Sequence, residues 1–305
     1  MAIAAPATPG FRSQVINQIL SFQPFAKFAK QQARQMMIKR AASIGVNWLE
    51  DAAVLAERNW DDDWAQVHNP DLAYPEYYLR TFHAYDQGNL GWEAATEVEV
   101  AAYAVHARIW PDGGIEGDVR LRQSYHDCLR SQIAQPPHAI LDLGCSVGMS
   151  TFALQKIYPE ANLTGLDLSP YFLAIAHYQG QQRQSKIKWV QAAAEATGLP
   201  EASFDLVSLC LVCHELPSVI TAQIFAEARR LLRPGGHLAV MDMNPQSAVY
   251  AKMPPYVLTL LKSTEPYLDE YFSLDLAAAI ARAGFSQPSF SCNTPRHRTL
   301  IAQAC

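Results

Sequence analysis

The sequence predicts a doubly wound α/β fold, in which a largely parallel sheet carries helices on both faces and follows an all-helical N-terminal region. Two observations support this prediction. From His138 onward, short apolar runs alternate with helix-favouring stretches, as in parallel strands joined by crossover helices. Before that point apolar residues recur at helical spacing, and Pro136-Pro137 separates the two patterns. We therefore expect a helical region over 1–136 and a sheet domain over 137–305.

The composition narrows the class of protein. Half of the 305 residues are hydrophobic and 17% are charged, so a sizeable core is feasible. The net charge of −5 does not favour a nucleic-acid partner. The six cysteines form no regular framework, we see no secretory leader, and no apolar run reaches the ~18 residues that span a bilayer. We expect a cytoplasmic protein with reduced thiols and no metal site.

The first 49 residues are basic, with six Lys and Arg residues and no acidic one, whereas the whole chain is acidic. Several apolar residues share one helical stripe, namely Phe25, Phe28, Ala29, Ala33, Met36 and Ile44. Two interpretations of residues 12–44 remain open. The stripe could lie on a membrane surface, with Lys27, Lys30 and Arg34 meeting anionic lipid, or the helix could pack on an acidic face of the protein.

Further helices and strands follow from the periodicity of apolar residues and from turn-forming Pro, Gly and Asn residues. Before the sheet, helical segments are predicted within Trp48–Trp64, Trp92–Ile109 and Gly117–Gln135. The predicted strands are Ala139–Leu143, Asn162–Leu166, Ile187–Gln191, Phe204–Val212 and His237–Met241. The helices predicted between them are Gly148–Ile157, Pro170–Gln179 and Ile220–Leu232.

The most informative segment runs from Ile140 to Thr151, where an apolar strand ends in a tight turn of small residues and a helix begins at once. Gly144 and Gly148 let a ligand approach the backbone closely, and the first turn of the helix offers free N–H groups. About twenty residues beyond Gly148 a second strand ends in Asp167, whose carboxylate can accept hydrogen bonds from both hydroxyls of a ribose. Together these segments predict an adenosyl-type ligand at the carboxyl edge of the sheet.

Residues 137–305 resemble the class I methyltransferases that use S-adenosylmethionine (SAM). Asp142–Gly148 is similar to the glycine-rich first motif of that family, Phe204–Val207 to the start of its fourth strand, and Leu231–Leu238 to its turn into the fifth strand. The resemblance implies a Rossmann-like sheet of seven strands, with the last ones supplied by Phe290–Cys305 and one of them antiparallel. It also implies SAM as the cofactor. The catalytic half resembles the C-methyltransferases of quinone biosynthesis more than DNA methyltransferases.

The resemblance further implies a set of cofactor-binding residues. Gly144, Ser146 and Gly148 would line the methionine portion of SAM, and Asp167 would hold its ribose. The full set is Asp142, Gly144, Cys145, Ser146, Gly148, Asp167, Leu168, Ser169, Ala194, Glu195 and Leu209.

The adenine side departs from the family pattern, which often has an acidic residue followed by Ala after the third strand. No acid stands beside Ala193, so backbone N–H groups near Ala194 and the Glu195 carboxylate are expected to contact the adenine. At the other end of the cofactor, Tyr125 and His126 in the last helix before the sheet could reach the carboxylate of SAM.

Two segments carry candidate catalytic residues. His214 follows the fourth strand, at the edge of the sheet where the reacting groups are expected to lie. It is predicted either to remove a proton from the acceptor or to position the acceptor by a hydrogen bond. The segment Phe82–Trp92 is dense in titratable and aromatic groups. It is predicted to cover the acceptor pocket, with His83, Tyr85 or Asp86 touching substrate, and the alternative is a capped interhelical loop.

Some motifs admit other interpretations. Gly144–Gly148 also matches G-x-S-x-G, which would make Ser146 a hydrolase nucleophile, but a hydrolase sheet normally has several strands before this turn. A nicotinamide dehydrogenase would need glycine where Ser146 and Met149 stand. Cys210 and Cys213 match C-x-x-C, but on one buried strand they would face opposite sides, so we interpret them as core cysteines.

The sequence therefore predicts a SAM-dependent methyltransferase that acts on a small, apolar acceptor by direct displacement at the methyl carbon. The N-terminal helices would supply a hydrophobic wall for the acceptor. Two alternatives remain open: a protein-modifying methyltransferase that binds its partner through residues 1–135, and a module that binds SAM without catalysis. The motif for methylation of amino groups is missing after the fourth strand, which argues against adenine or glutamine acceptors.

Overall fold

The structure of the protein, a computed structural model, describes residues 23–83 and 85–305. Its helices are α1 (Gln23–Ser43), α2 (Trp48–Ala56), α3 (Asp61–Val67), α4 (Trp92–His106), α5 (Gly117–Gln132), α6 (Met149–Ile157), α7 (Pro170–Gln182), α8 (Ser218–Leu231), α9 (Ala248–Ala251), α10 (Pro255–Thr264), α11 (Leu268–Ser273) and α12 (Leu276–Arg282). Its strands are β1 (Ala139–Leu143), β2 (Asn162–Asp167), β3 (Lys188–Gln191), β4 (Phe204–Cys210), β5 (Leu232–Met243), β6 (Ser289–Ser291) and β7 (His297–Gln303).

The strands form one seven-stranded sheet in the order β3-β2-β1-β4-β5-β7-β6. Strands β1 to β5 are parallel, and β7 is antiparallel to both of its neighbours. From β1 the chain continues to β2 and β3 on one side, whereas β4 and β5 lie on the other. A topological switch point therefore lies between the carboxyl ends of β1 and β4, where sheets of this type bind their ligands. The predicted doubly wound sheet with one antiparallel strand is confirmed.

The central strands are buried on both faces, which explains why their sequences are almost continuously apolar. On one face, Leu141 of β1 lies in the same apolar cluster as Phe225 of α8. On the other face, Ile140 of β1 packs in a cluster with Leu129 of α5. Each such side chain contributes about 1.5–3 kcal/mol on burial, so helices on both faces stabilise the sheet.

Other N-terminal segments also pack on the sheet-bearing part. Trp60 and Ala94 share an apolar cluster with Phe172 of α7. Tyr78, which lies between α3 and α4, belongs to the same cluster as Leu143 at the end of β1. The N-terminal region is thereby placed against the carboxyl edge of the sheet, while the division at residue 136 stays a prediction.

Helix α1 packs against α4 through a face that differs from the predicted stripe. Ala41 is fully buried, and Met37 and Ile38 pack in the cluster formed with Val100 of α4. Met36, which the stripe includes, is 51% exposed. Successive helical residues are about 100° apart, so a face centred on residues 37, 38 and 41 turns residue 36 outward.

One basic residue of α1 is engaged within the protein. The Arg34 guanidinium pairs with Glu97 of α4 and lies 3.9 Å from Glu93. This contact supports packing on an acidic face at Arg34. Membrane contact through residues 12–44 stays a prediction, because several of its residues lie outside the described part, namely Arg12 and the side chains of Phe25, Lys27, Phe28, Ala29 and Lys30. Among the described helices, none combines the length and apolar character needed to cross a bilayer.

Two details after β4 and β5 differ from the prediction. Strand β4 ends at Cys210, and Cys213 begins a short 3₁₀ turn, so the two cysteines do not lie on one strand as predicted. The strand conformation ends directly after Cys210, where Leu211 adopts a φ of 62°. Helices α9 to α12, between β5 and β6, are not predicted at all. They matter for the site because α11 packs against the 3₁₀ turn.

Candidate functional site

The glycine-rich turn between β1 and α6 has the form that the sequence predicts. Gly144, Ser146 and Gly148 have φ angles of 69°, 51° and 87°, in the left-handed region that glycine adopts at least cost. The N–H groups of Gly144 and Cys145 both donate to the carbonyl of Leu166, at 2.8 and 3.0 Å. These two bonds tie the turn to the end of β2.

Side chains crowd two of these glycines. A Cβ on Gly144 would lie 2.7 Å from the Val212 side chain, and one on Gly148 would lie 2.8 Å from ring atoms of Phe152 and Trp189. The turn therefore needs glycine at both positions for packing as well as for the φ angle. The sequence pattern indicates a close approach of ligand at these glycines, whereas the packing of Trp189 under the turn is visible only in the structure.

Two buried polar atoms beside the turn have no hydrogen-bond partner in the described part of the chain. One is Oδ1 of Asp142, whose Oδ2 accepts from the hydroxyls of Ser150 at 2.6 Å and Thr151 at 2.7 Å. Burial raises the pKa of Asp142. The other atom is the hydroxyl of Ser146. An unsatisfied buried polar atom costs about 1–3 kcal/mol, so a ligand with complementary polar groups would be stabilised here.

Asp167 ends β2 with its carboxylate directed at the turn. Its Oδ2 accepts from the N–H of Ser146 at 2.8 Å, and its Oδ1 accepts from the N–H of Ser169 at 2.8 Å. The Tyr78 hydroxyl donates to Oδ1 at 3.4 Å. Burial outweighs these hydrogen bonds and raises the pKa of Asp167 to about 6. Ser169 also caps α7, since its hydroxyl accepts from the N–H of Phe172 at 3.3 Å.

The remaining predicted cofactor residues fall into two groups. Ala194 and Glu195 follow the end of β3, and the Tyr77 hydroxyl lies 2.9 and 3.0 Å from the two carboxylate oxygens of Glu195. Three side chains are instead buried in apolar clusters, those of Cys145, Leu168 and Leu209. The part of these three residues in cofactor binding stays a prediction.

Beyond the ends of β4 and β5, a histidine and an aspartate form a buried pair. His214 lies in the 3₁₀ turn Cys213–Glu215, and its Nδ1 is 2.8 Å from Oδ1 of Asp242. The backbone N–H of His214 donates to Oδ2 of the same carboxylate at 3.2 Å. Burial alone would lower the pKa of His214, but the Asp242 carboxylate outweighs it and raises the pKa to about 9. Asp242 is fully buried near the end of β5, and it is not among the site residues predicted from the sequence.

His83 brings a second imidazole to this edge of the sheet. Its Nε2 lies 3.1 Å from Oε1 of Glu265 and 3.4 Å from Oε1 of Glu215. Burial opposes its charge, but the two carboxylates raise the pKa of His83 to about 10. Both carboxylates also act to raise the pKa of His214, so the two histidines share one electrostatic neighbourhood. Glu265 follows α10, in the stretch for which the sequence predicts no element.

The other candidates in Phe82–Trp92 are placed differently. The Tyr85 hydroxyl donates to Oε2 of Glu97 in α4 at 2.8 Å, and Asp86 is exposed. The chain turns at His83, which has a φ of 49°. The structure thus brings His83 and His214 together and directs Tyr85 towards α4. Catalytic roles for Tyr85 and Asp86 stay predictions.

Tyr125 and His126 are held in the core. The Tyr125 side chain is 1% exposed, and its hydroxyl lies 3.0 Å from the Ser208 hydroxyl and 3.3 Å from the carbonyl of Ala239. Both partners lie within strands, so Tyr125 packs beneath the sheet and does not extend to its edge. Burial lowers the pKa of His126 to about 4. The idea that this pair reaches the cofactor is not supported by its placement.

The strand order and the turn tied to β2 are those of α/β proteins that bind a nucleotide or adenosyl group at the switch point. Comparison with known proteins agrees. The family described as "Methyltransferase domain" matches residues 141–240. A protein from Pyrococcus horikoshii OT3 has the same fold in its crystal structure, with a TM-score of 0.50 at 17% identity, covering 62% of this chain and 92% of that chain.

Curated relatives identify the family. An uncharacterized methyltransferase of Synechocystis is 30% identical over 158 residues, which cover 52% of this chain and 71% of that protein. A demethylmenaquinone methyltransferase of Thermus thermophilus is 30% identical over 113 residues, 37% of this chain and half of that protein. A ubiquinone biosynthesis O-methyltransferase of Xanthomonas campestris is 26% identical over 194 residues, 61% of this chain and 80% of that protein. The chain belongs to the class I SAM-dependent methyltransferases.

The described residues fit SAM at this edge. The unpartnered Oδ1 of Asp142 is an acceptor and the unpartnered Ser146 hydroxyl is a donor, which suit the ammonium and carboxylate groups of the methionine portion. Asp167 offers a carboxylate of the kind that accepts ribose hydroxyls. When bound, SAM supplies an electrophilic methyl group on a positively charged sulfur. SAM is the cofactor, and the individual contacts remain proposals.

Proposed function

We propose that the protein transfers the methyl group of SAM to a hydroxyl group of a small, apolar acceptor by direct displacement, with His214 as general base. The observation that carries this proposal is the buried pair of His214 and Asp242 at the carboxyl edge of the sheet. A hydroxyl must lose its proton as its oxygen attacks the methyl carbon, and a neutral imidazole can accept that proton. Alignment of the two reactants in a water-excluding site supplies much of the remaining rate.

Asp242 prepares His214 for this task in two ways. Its carboxylate accepts a hydrogen bond from the Nδ1–H of the imidazole, which leaves Nε2 free of a proton in the neutral form and able to act as the base. It also raises the pKa of His214 to about 9, near the ~10 of a phenol, so that transfer of the proton is nearly balanced. Because only a minor fraction of His214 is then neutral at pH 7, we expect turnover to increase towards alkaline pH.

Aromatic side chains around the pair support an apolar acceptor. The ring centroid of Tyr271 lies 6.3 Å from that of His214, and Phe272 lies 6.2 Å from Tyr271. The Tyr271 hydroxyl donates to the carbonyl of Met243 at 2.7 Å, so its ring is fixed in place. The names of the Thermus and Xanthomonas relatives, which concern menaquinone and ubiquinone, agree with a quinone-type acceptor.

We also propose that the N-terminal helical region, residues 1–136, takes part in acceptor recognition. His83 supports this, because it belongs to that region and its imidazole lies at the edge of the sheet beside Glu265.

Membrane contact through residues 12–44 is a separate proposal, for which flotation of the chain with and without residues 1–45 on anionic vesicles is the test. If the chain without residues 1–45 floats with the vesicles as well as the full chain does, the proposed membrane contact is contradicted.

Incubation with methyl-labelled SAM tests the proposed reaction. The chain is given a panel of phenols and quinols together with cell extract, and labelled lipids, small molecules and proteins are separated. We expect methyl ethers of small molecules, with turnover lowered by about 10²–10⁴-fold in His214→Ala and retained in the control His138→Ala, an exposed histidine before β1. Label confined to polypeptides would contradict the acceptor class. Full turnover in His214→Ala with normal SAM binding would contradict the role of the base.

A further inference from the structure

Two consecutive tyrosines cover the carboxylates that the proposed cofactor site uses. The Tyr78 hydroxyl donates to Oδ1 of Asp167 at 3.4 Å, and the Tyr77 hydroxyl lies 2.9 and 3.0 Å from the two oxygens of Glu195. Both tyrosines are 9% exposed, and their rings meet edge to face at 6.4 Å. A phenolic hydroxyl donating to a carboxylate makes the same kind of hydrogen bond as a ribose hydroxyl or an adenine amino group.

We propose that Tyr77 and Tyr78 compete with the cofactor for Asp167 and Glu195, so that residues 74–83 must move before the adenosine portion of SAM can bind. This inference rests on the proposed assignment of these two carboxylates to the adenosine. It goes further by giving Tyr77 and Tyr78 a part in controlling access to the cofactor site, which the sequence does not indicate.

The hydrogen-bonding capacity of Asp167 explains why the contact competes. A carboxylate offers about four acceptor positions. Two are taken by the N–H groups of Ser146 and Ser169, which belong to the fold, and Tyr78 takes a third. Both hydroxyls of a ribose can be accepted only if the Tyr78 hydroxyl leaves. The single proton of the Tyr77 hydroxyl is shared between both oxygens of Glu195, so on the adenine side the competition is for the space in front of the carboxylate and not for its acceptor positions.

The segment that carries the tyrosines is held mainly by the packing of Tyr77, Tyr78 and Phe82 in the apolar cluster and has little regular backbone hydrogen bonding. Residues 74–81 are all described and lie in no helix or strand. Two turn bonds lie within the segment, from the N–H groups of Tyr78 and Leu79. Besides the tyrosine–carboxylate contacts, three hydrogen bonds join it to other elements: the amide of Gln191 donates to the Tyr74 hydroxyl at 3.0 Å, the Tyr267 hydroxyl donates to the carbonyl of Tyr77 at 3.2 Å, and the N–H of His83 donates to the carbonyl of Thr264 at 3.1 Å. A segment with so few backbone bonds opens at lower free energy than a packed helix.

The sign of an affinity change tests this proposal. The full chain is titrated calorimetrically with S-adenosylhomocysteine, the demethylated product, so no acceptor is needed. Because Tyr78→Phe removes the competing donor, the ligand should bind about fivefold more tightly, the equivalent of one net hydrogen bond. Tyr77→Phe should act in the same direction. The matched control is Tyr103→Phe, since the Tyr103 hydroxyl donates to Glu99 at 2.6 Å in α4, away from the sheet edge.

Weaker binding by Tyr78→Phe would overturn the proposal, because the tyrosine would then be a ligand of the bound cofactor. Unchanged binding would overturn it as well. If Tyr78→Phe fails to fold, Tyr77→Phe gives the same test of sign. Stopped-flow mixing adds a kinetic measurement, in which the binding rate of the native chain should reach a plateau set by opening and Tyr78→Phe should raise that plateau. The variant that carries both Tyr77→Phe and Tyr78→Phe separates this proposal from the proposed function. If neither that variant nor the native chain binds S-adenosylhomocysteine, the proposed location of the cofactor site is wrong, and this outcome differs from binding of unchanged strength.

Discussion

Nδ1 of His214 lies 2.8 Å from Oδ1 of Asp242, although 28 positions separate the two residues in the chain. They meet because β4 and β5 are adjacent parallel strands, so both residues follow or end a strand at the same edge. Charges interact strongly where water is excluded, and the carboxylate therefore governs the protonation of the imidazole. The proposed reaction depends on that protonation state.

Asp242→Asn should change the pH dependence of methyl transfer. The carboxylate raises the pKa of His214 to about 9, and without it the pKa should move towards the ~6.5 of an unperturbed imidazole. The rising limb of kcat/KM against pH should then move to lower pH, while the maximal kcat falls by about 10²–10⁴-fold because the tautomer is no longer fixed. Rates measured from pH 5 to 10 check this, with Asp269→Asn in α11 as control. If the rising limb of kcat/KM stays at the same pH in Asp242→Asn, the pH dependence of the rate belongs to a group other than His214.

Binding of S-adenosylhomocysteine should weaken as the pH falls through about 6. Asp167 has its pKa raised to that value, and protonation turns one acceptor position of the carboxylate into a donor, so fewer hydroxyl groups can be accepted. In Asp167→Asn, we expect affinity at pH 8 to fall by about 2 kcal/mol, or ~30-fold, and the step near pH 6 to disappear. Calorimetry at several pH values measures both effects. Asp205→Asn, which alters the beginning of β4, should retain the step, and its loss there would contradict the assignment.

The turn and Asp167 could be predicted from the sequence because their information is local. Glycines at a strand end, a helix that starts at once and an acid about twenty residues further specify the arrangement with no knowledge of distant contacts. Asp242 carried a weaker signal that went unused. A carboxylate within the apolar run that forms β5 is costly to bury unless a partner is present, and the partner could have been sought at the end of the neighbouring strand.

Tyr77, Tyr78 and Glu265 could not be placed in the same way. Their contacts join segments that are far apart in the chain, such as Tyr77 with Glu195 and His83 with Glu265. Nothing in the local pattern of an irregular segment specifies which surface it covers. The predicted apolar stripe of α1 is only partly right for a similar reason. Ile44 packs in the cluster with α4 as the stripe predicts, but that cluster also takes Met37 and Ile38 and leaves Met36 exposed.

Gly148→Ala should destabilise the fold more than Gly114→Ala. Both glycines have positive φ, 87° and 48°, so each substitution strains the backbone by about 1–2 kcal/mol. At Gly148 the new Cβ would also meet rings of Phe152 and Trp189 at 2.8 Å, whereas no described atom lies within 4 Å at Gly114. Overpacking adds about 1–3 kcal/mol. Urea unfolding should therefore show a clearly larger loss for Gly148→Ala, and equal losses would mean that the rings give way at no cost.

His83→Gln should lower the free energy of unfolding by an amount that depends on pH. The folded-state pKa of His83 is about 10, well above the ~6.5 of an unfolded chain, so its protonated form contributes stability that is fully present below pH ~6.5 and is lost as pH rises through about 10. Because the side chain is 36% exposed, we expect the variant to be less stable by only about 1 kcal/mol at pH 6. The difference from the native chain should shrink towards pH 10, since glutamine does not titrate and His214 is present in both proteins. Unfolding free energies at pH 6, 8 and 10 measure this, with His138→Gln at an exposed histidine as the control. A difference that stays constant with pH would mean that Glu215 and Glu265 do not hold a charged His83.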